Sequence, residues 1–148
     1  MSEYNQVVQK LAPCGLDCSR CADFENGVIR ELAAKLANLL KGYERLAKIK
    51  AAKIPAFADY EKFKDILNSF AEAACGGCRS DNVKCPIICH ARTCHKEKKV
   101  DFCFQCAEYP CEKQFEGKLR ERWINMNDRM KEIGVINYYL EQSKLPRY

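Results

Sequence analysis

The sequence predicts a mainly α-helical protein in which an irregular, cysteine-rich segment interrupts a helical scaffold. Apolar residues recur at helical spacing in about four stretches. Eight of the 11 cysteines fall within residues 75–111, where apolar residues are few and show no period. A length of 148 residues is typical of one domain. We therefore expect a single domain over residues 1–148, with a metal-binding cysteine-rich segment at 75–111 inside it.

Two helices are predicted before the cysteine-rich segment. The first spans about Asn26 to Lys53, and Pro55 ends it because proline cannot continue a helix. The second runs from about Ala56 to Ala74. Each carries an apolar stripe that predicts a face buried in the core. The stripes are Val28, Ile29, Leu32, Leu36, Leu39, Leu40, Tyr43, Leu46 and Ile49 in the first helix, and Phe57, Tyr60, Phe63, Leu67 and Phe70 in the second.

Two more helices are predicted after the last cysteine. One begins near Glu112, and Gly134 suits its C-terminal end because glycine adopts positive φ without steric cost. A short helix from about Val135 to Ser143 follows. The stripe of the longer helix consists of Phe115, Leu119, Trp123, Met126, Met130 and Ile133.

The cysteine content predicts metal binding rather than disulfides. No run of about 18 apolar residues occurs, and the polar stretch Met1 to Leu11 has no signal-peptide core, so we expect a cytoplasmic protein without a membrane span. Thiols stay reduced in the cytoplasm, and 11 is an odd number. In such a setting clustered cysteines favour a metal site.

The cysteine spacing indicates how metal ions would be held. Two residues separate the members of three pairs, a spacing that lets both sulfurs reach one tetrahedral ion. These pairs are Cys18 and Cys21, Cys75 and Cys78, and Cys103 and Cys106. In the second pair, Gly76 and Gly77 permit positive φ, and backbone amides can then point at sulfur.

The simplest partition gives two closed sites and one group of three. Cys75, Cys78, Cys85 and Cys89 would form one site, and Cys94, Cys103, Cys106 and Cys111 the other. Cys14, Cys18 and Cys21 remain, with a fourth ligand from His90 or His95, from water or substrate, or absent. Sharing of Cys14 to Cys21 with the later cysteines stays open. Two to three zinc ions are the predicted cofactor, and an iron–sulfur cluster is the alternative because paired cysteines suit both.

Three functions are compatible with these residues. The first is a zinc-stabilised binding or regulatory module. The second is an iron–sulfur electron-transfer or redox protein, and the third is a small metalloenzyme with an open position at the first cysteine group. No catalytic constellation is recognisable, so whether the protein is an enzyme stays open. The spacing at 14–21 occurs in radical enzymes, but the chain is too short for their barrel, and Cys103 and Cys106 lack the strand–helix–strand context of a redox dithiol.

The net charge does not identify a partner. The formal value is +5 with neutral thiols. A metal-bound cysteine is a thiolate, so eleven thiolates subtract eleven charges and three divalent ions add six, which brings the formal charge to 0. The charge therefore does not support nucleic-acid binding once metal is bound. A protein partner is compatible with the sequence, and no membrane partner is indicated.

Three motifs resemble a known family. Segments 13–21 (PCGLDCSRC), 75–79 (CGGCR) and 103–111 (CFQCAEYPC) are similar to the bacterial and archaeal domain-of-unknown-function family 3795. The tail, with NDRMKEIGV at 127–135 and PRY at 146–148, also resembles longer members. The resemblance implies a cytoplasmic, cysteine-rich protein with proposed metal binding and no settled activity. It supplies no catalytic residue, and His90 and His95 match no motif position.

Overall fold

The protein consists of α-helices joined by irregular segments, in a computed structural model that describes residues 1–148. Seven helices are present: α1 Glu3–Lys10, α2 Val28–Leu39, α3 Glu44–Ala51, α4 Tyr60–Ala71, α5 Ala91–Lys98, α6 Gly117–Ile133 and α7 Val135–Ser143. Two 3-10 turns lie at Pro55–Asp59 and Cys103–Gln105. The mainly α-helical class is confirmed, although the expected number of about four helices is too low. None of the helices combines the length and apolar character needed to cross a bilayer.

Three predicted helices are shorter or more divided than expected. The helix predicted from Asn26 to Lys53 is split into α2 and α3, because the backbone turns between Leu40 and Tyr43 and Gly42 adopts a φ of +82°. The helix predicted from Ala56 begins with a 3-10 turn, and α4 starts only at Tyr60. The helix predicted from near Glu112 also starts late, at Gly117, although Gly134 ends it as expected, and α7 has the predicted bounds.

Helices α1 and α5 were not predicted, and both are too short to show an apolar period. In α1 only Val7 and Val8 are buried, and the Ser2 hydroxyl caps the helix by accepting the Asn5 N–H at 3.2 Å. Helix α5 lies within the segment that was expected to be irregular, and Ala91 is its only buried residue. The segment at 75–111 is therefore irregular apart from α5 and one 3-10 turn.

The core lies between α1, α6 and α7, with the cysteine loops packed against it. One buried cluster consists of Val7, Val8, Leu11, Phe102, Met130, Val135 and Tyr138. A second cluster contains Ala12, Cys14, Ala91 and Trp123, and five further cysteines pack around it. The C-terminal apolar stripe is thus buried where Trp123 and Met130 occur, as predicted. The cysteine-rich loops and the apolar core form one continuous interior.

Helices α2 and α4 form an antiparallel hairpin inserted between two of the cysteine motifs. Gly27 and Ala71 line one groove of the hairpin, while Leu40 and Tyr60 line another at its far end. At the base, the Cys75 N–H donates to the Asp23 carbonyl and the Cys75 carbonyl accepts from the Glu25 N–H, both at 2.9 Å. The hairpin therefore brings the segment that follows Cys21 next to Cys75.

The predicted burial of the hairpin stripes is wrong for most of their residues. In α2 and α3 the buried residues are alanines, Ala33 and Ala47, and in α4 they are Tyr60 and Leu67. The exposed members of the two stripes are Val28, Leu32, Leu36, Leu39, Leu46, Ile49, Phe63 and Phe70. The physical reason is that α2 and α4 pack against each other through a narrow line of residues, and no other helix covers their remaining apolar surface.

Gly15 lies in the first cysteine loop at a position where a larger side chain would be strained and would press against Met130. Its φ is +98°, and a Cβ there would lie 2.8 Å from Met130 Cε. We expect Gly15→Ala to lower the free energy of unfolding by about 2–3 kcal/mol, because a positive φ costs about 1–2 kcal/mol and the overpacking adds to it. Gly42→Ala is the matched control, since φ is +82° but nothing lies within 4 Å of its Cβ. If chemical denaturation shows the same loss of unfolding free energy in Gly15→Ala and Gly42→Ala, the contact with Met130 does not contribute to the cost.

Candidate functional site

All eleven cysteines are free thiols, and each is buried or half-buried. They come from three irregular segments that meet on α5 and α6. The first segment carries Cys14 to Cys21, the second Cys75 to Cys89, and the third Cys103 to Cys111, while Cys94 lies on α5. Segments far apart in the sequence therefore supply sulfurs to one region of the protein.

Four of these thiols lie in two neighbouring pairs that join the first and second segments. The proximity of Cys89, together with burial, raises the pKa of Cys14 well above its usual value. The Cys14 thiol in turn lowers the pKa of Cys89 to about 6. In the same way, Cys78 lies beside Cys18, which raises the pKa of Cys78 and lowers that of Cys18. In each pair one sulfur is therefore favoured over the other as the thiolate.

N–H donors point at the two sulfurs whose pKa values are lowered. The Cys78 backbone N–H lies near Cys18 and lowers its pKa, next to Gly77 with its φ of +88°. The Gln114 Nε2 donates to Cys89 Sγ at 3.1 Å, and its Oε1 accepts the Ala91 N–H at 3.1 Å. Hydrogen bonds of this kind favour the charged form of sulfur. The geometry therefore prepares Cys18 and Cys89 to act as thiolates.

The pairing differs from the simplest partition of the sequence. Cys78 and Cys89 lie beside Cys18 and Cys14 rather than forming a group with Cys75 and Cys85. These neighbouring thiols come from the first motif and from later ones, while the sharing of a metal ion between those motifs, which the spacing left open, stays a prediction. We call Cys14, Cys18, Cys78 and Cys89 the first thiol group.

The other sulfurs of these segments lie around the first thiol group. Cys75 Sγ accepts the Lys84 N–H at 3.3 Å, and Cys21 Sγ accepts from the Tyr148 hydroxyl at 3.7 Å. Both also lie near enough to Cys18 to affect its pKa by charge repulsion. The Cys85 sulfur makes no hydrogen bond, while the Cys85 carbonyl accepts one from the Arg92 guanidinium at 3.2 Å.

A second group of four thiols surrounds one small cavity, and we call it the second thiol group. Its members are Cys94, Cys103, Cys106 and Cys111, the set that the sequence spacing predicted as one site. The cavity has a volume of about 30 Å³, and His90 and His95 also line it. Four cysteines and two histidines thus line one small space, which is large enough for water.

Two buried nitrogens at this cavity lack hydrogen-bond partners. The Trp123 Nε1–H faces the Cys103 sulfur without reaching hydrogen-bond geometry, while burial raises the pKa of Cys103 to about 11. His95 Nε2 is also buried without a partner. Burial and the Arg79 charge lower the pKa of His95, which favours the neutral ring.

The side chains as they stand do not form a complete metal site. No group of three or more histidine, cysteine, aspartate or glutamate side chains is arranged to hold a metal ion. The donor types nevertheless match those of zinc, and a cysteine thiolate at this cavity would give the unpartnered Trp123 N–H an acceptor.

Three polar residues that hold the site were not found from the cysteine spacing. Gln114 orients Cys89, as described above. Asn127 is fully buried in α6: its Nδ2 donates to the Cys14 and Trp123 carbonyls at 2.9 and 3.0 Å, and its Oδ1 accepts the Phe104 N–H at 3.0 Å. Asn127 lies four positions after Trp123 and three before Met130, on the apolar stripe itself, and a polar residue at such a position could have indicated a buried hydrogen-bonding role.

Asp17 is the third such residue, and it fixes the first cysteine loop. Its buried carboxylate accepts the Ser19 N–H and hydroxyl at 3.0 and 2.6 Å and pairs with Arg20 Nε at 2.7 Å. Arg20 then donates to the Gln142 and Leu145 carbonyls, both at 2.8 Å. The first loop is therefore tied to the end of α7.

The fold and the two thiol groups define a helical, cysteine-rich protein with its thiols gathered in the interior. The family model described as "Protein of unknown function (DUF3795)" matches residues 10–116, a range that includes all eleven cysteines. The chain belongs to this family, as the cysteine motifs predicted. No curated protein and no solved structure matches the chain.

Proposed function

We propose that this chain is a metal-binding protein in which the two thiol groups each hold one zinc ion, and that the metal-stabilised fold serves as a binding or regulatory module. The observation that carries the proposal is the gathering of free thiols in two groups of four, the first from distant segments and the second from residues 94–111, without any disulfide. Four sulfurs suit the tetrahedral coordination of zinc.

Metal binding would require local rearrangement of the side chains. Cys14 and Cys78 hold the protons of the first thiol group, so both would have to lose them before ligation. The sulfurs would then turn towards a common point, which is a change of side-chain rotamer rather than of fold. In the second thiol group, the Trp123 N–H would gain a thiolate acceptor at Cys103, and His95 would add a nitrogen donor at the cavity.

A structural role for the metal agrees better with the first thiol group than an open catalytic site. The sequence spacing left Cys14, Cys18 and Cys21 with three sulfurs and a free position. The folded chain places Cys89 beside Cys14 and Cys78 beside Cys18, so these four sulfurs are at hand without water or substrate. Closed four-sulfur sites are typical of structural zinc. Iron–sulfur clusters use the same ligand set and remain the alternative.

Metal analysis of anaerobically purified protein tests the proposal. We expect a colourless protein with two zinc ions per chain, and we expect a chelator to abolish protection of the segment 75–111 in hydrogen exchange because metal binding energy orders it. A brown protein with iron and acid-labile sulfide would favour the redox alternative. A protein that stays fully folded and metal-free at neutral pH would contradict both.

A further inference from the structure

The α2–α4 hairpin carries an apolar surface that nothing in the chain covers. Seven side chains form it, and each is between 37 % and 80 % exposed. We call them the hairpin face: Val28, Leu32, Leu36, Leu39, Phe63, Ile66 and Phe70. Buried clusters elsewhere in the molecule include none of them.

Helix geometry places all seven on the same side of the hairpin. Ala33 is the buried residue of α2, and the four exposed apolar residues of that helix lie on average about a quarter turn away from it around the helix axis. Leu67 is a buried residue of α4, and the three exposed apolar residues of that helix lie on average about a quarter turn away from it, rotated in the same direction around the helix axis. Because the two helices are antiparallel, equal rotations in the same sense point to the same side. The opposite side is polar and carries the ion pair between Lys64 and Glu44 at 3.1 Å.

The area of the hairpin face matches that of a protein interface. Apolar side chains of this size have about 150–200 Å² when fully exposed, so the exposed fractions correspond to roughly 700 Å². A standard interface buries about 800 Å² on each partner. Soluble monomers rarely expose a continuous apolar patch of more than a few hundred Å².

We propose that the hairpin face is the interface of a homodimer, in which two hairpins pack face to face as a four-helix bundle. The charges beside the face support a second copy as the occupant. Glu31 and Lys35 pair at 2.6 Å along one edge, and Asp59 and Lys62 pair at 2.9 Å along the other. Each edge is balanced in charge, so identical faces meet without repulsion between like charges.

The basic residues of the hairpin are concentrated elsewhere. Lys41, Arg45, Lys48, Lys50 and Lys53 lie at the tip, in and around α3. An anionic membrane surface would be bound most strongly through this tip, together with the exposed Leu46 and Ile49. The hairpin face itself offers shape and apolar area without excess charge, which suits an identical partner better than a lipid surface.

The mass of the full chain in solution tests the dimer. We expect sedimentation equilibrium at micromolar concentrations to give twice the 17.0 kDa of one chain, and Leu32→Lys to shift the dimer dissociation constant upward by at least tenfold. Leu140→Lys is the matched control, because Leu140 is 48 % exposed against 58 % for Leu32 but lies on α7. Circular dichroism of both variants checks that the fold is retained.

Three results would overturn the proposal. The first is a wild-type protein that sediments as a monomer at all concentrations. The second is a dimer that Leu140→Lys weakens as much as Leu32→Lys does. The third is a monomer that binds vesicles of anionic phospholipid through the hairpin face, which would make a lipid surface the occupant. The homodimer proposal is supported if Leu32→Lys dissociates the dimer and Leu140→Lys does not.

Discussion

Replacing Cys78 with serine is expected to reduce the bound metal from two ions per chain to one. Cys78 lies at the centre of the first thiol group: it lies beside Cys18, and Cys14 and Cys89 are near enough for charge repulsion between the sulfurs. Serine keeps the size but not the soft thiolate that zinc prefers. Since metal binding free energy is folding free energy, we also expect the variant to lose several kcal/mol of stability, on the order of 3 or more.

Cys85→Ser is the matched control for this variant. Cys85 lies in the same loop and is also half-buried, but it belongs to neither thiol group. We expect this variant to bind two ions and to unfold within about 1 kcal/mol of the wild type, as for most substitutions away from a site. Elemental analysis and thermal unfolding are the measurements. Loss of one ion in Cys85→Ser as well as in Cys78→Ser would favour the partition by spacing instead, because that partition places both cysteines in one site.

Replacing Asn127 with leucine is expected to destabilise the protein by about 2–4 kcal/mol even though the side chains are similar in size. The change leaves the Cys14 carbonyl and the Phe104 N–H buried without their partner, and each unsatisfied group costs about 1–3 kcal/mol. Because Asn127 joins α6 to two cysteine loops, we expect metal affinity to fall together with stability.

Asn125→Leu is the control for this second variant, since Asn125 is exposed on the same helix two residues away. We expect its midpoint in urea to stay near that of the wild type. Trp123 is the only tryptophan and is buried beside Asn127, so its fluorescence reports unfolding of this region. Equal shifts of the midpoint in both variants would show that the buried amide has no special role.

The hairpin shows where reasoning from sequence succeeds and fails. The stripe from Val28 to Leu39 correctly predicts a helix, because a helical period follows from local geometry. The same stripe predicted burial in the core, and this was wrong, because periodicity says that a face is apolar but not what covers it. The split at Gly42 was also missed, since a break of this kind is decided by tertiary packing, here of α3 against the turn at Pro55–Asp59.

The amino-acid sequence by itself determined the helical class, the family and the set of eleven sulfurs, because helical period and cysteine spacing are local properties of the chain. The second thiol group was also predictable, since its members lie close together along the chain. Only the tertiary structure decided that Cys78 joins Cys18 and that Cys89 joins Cys14. The reason is physical: the hairpin returns the chain to Cys75, and Asn127 and Gln114 hold the loops against α6, so these contacts depend on packing between segments some sixty or more residues apart.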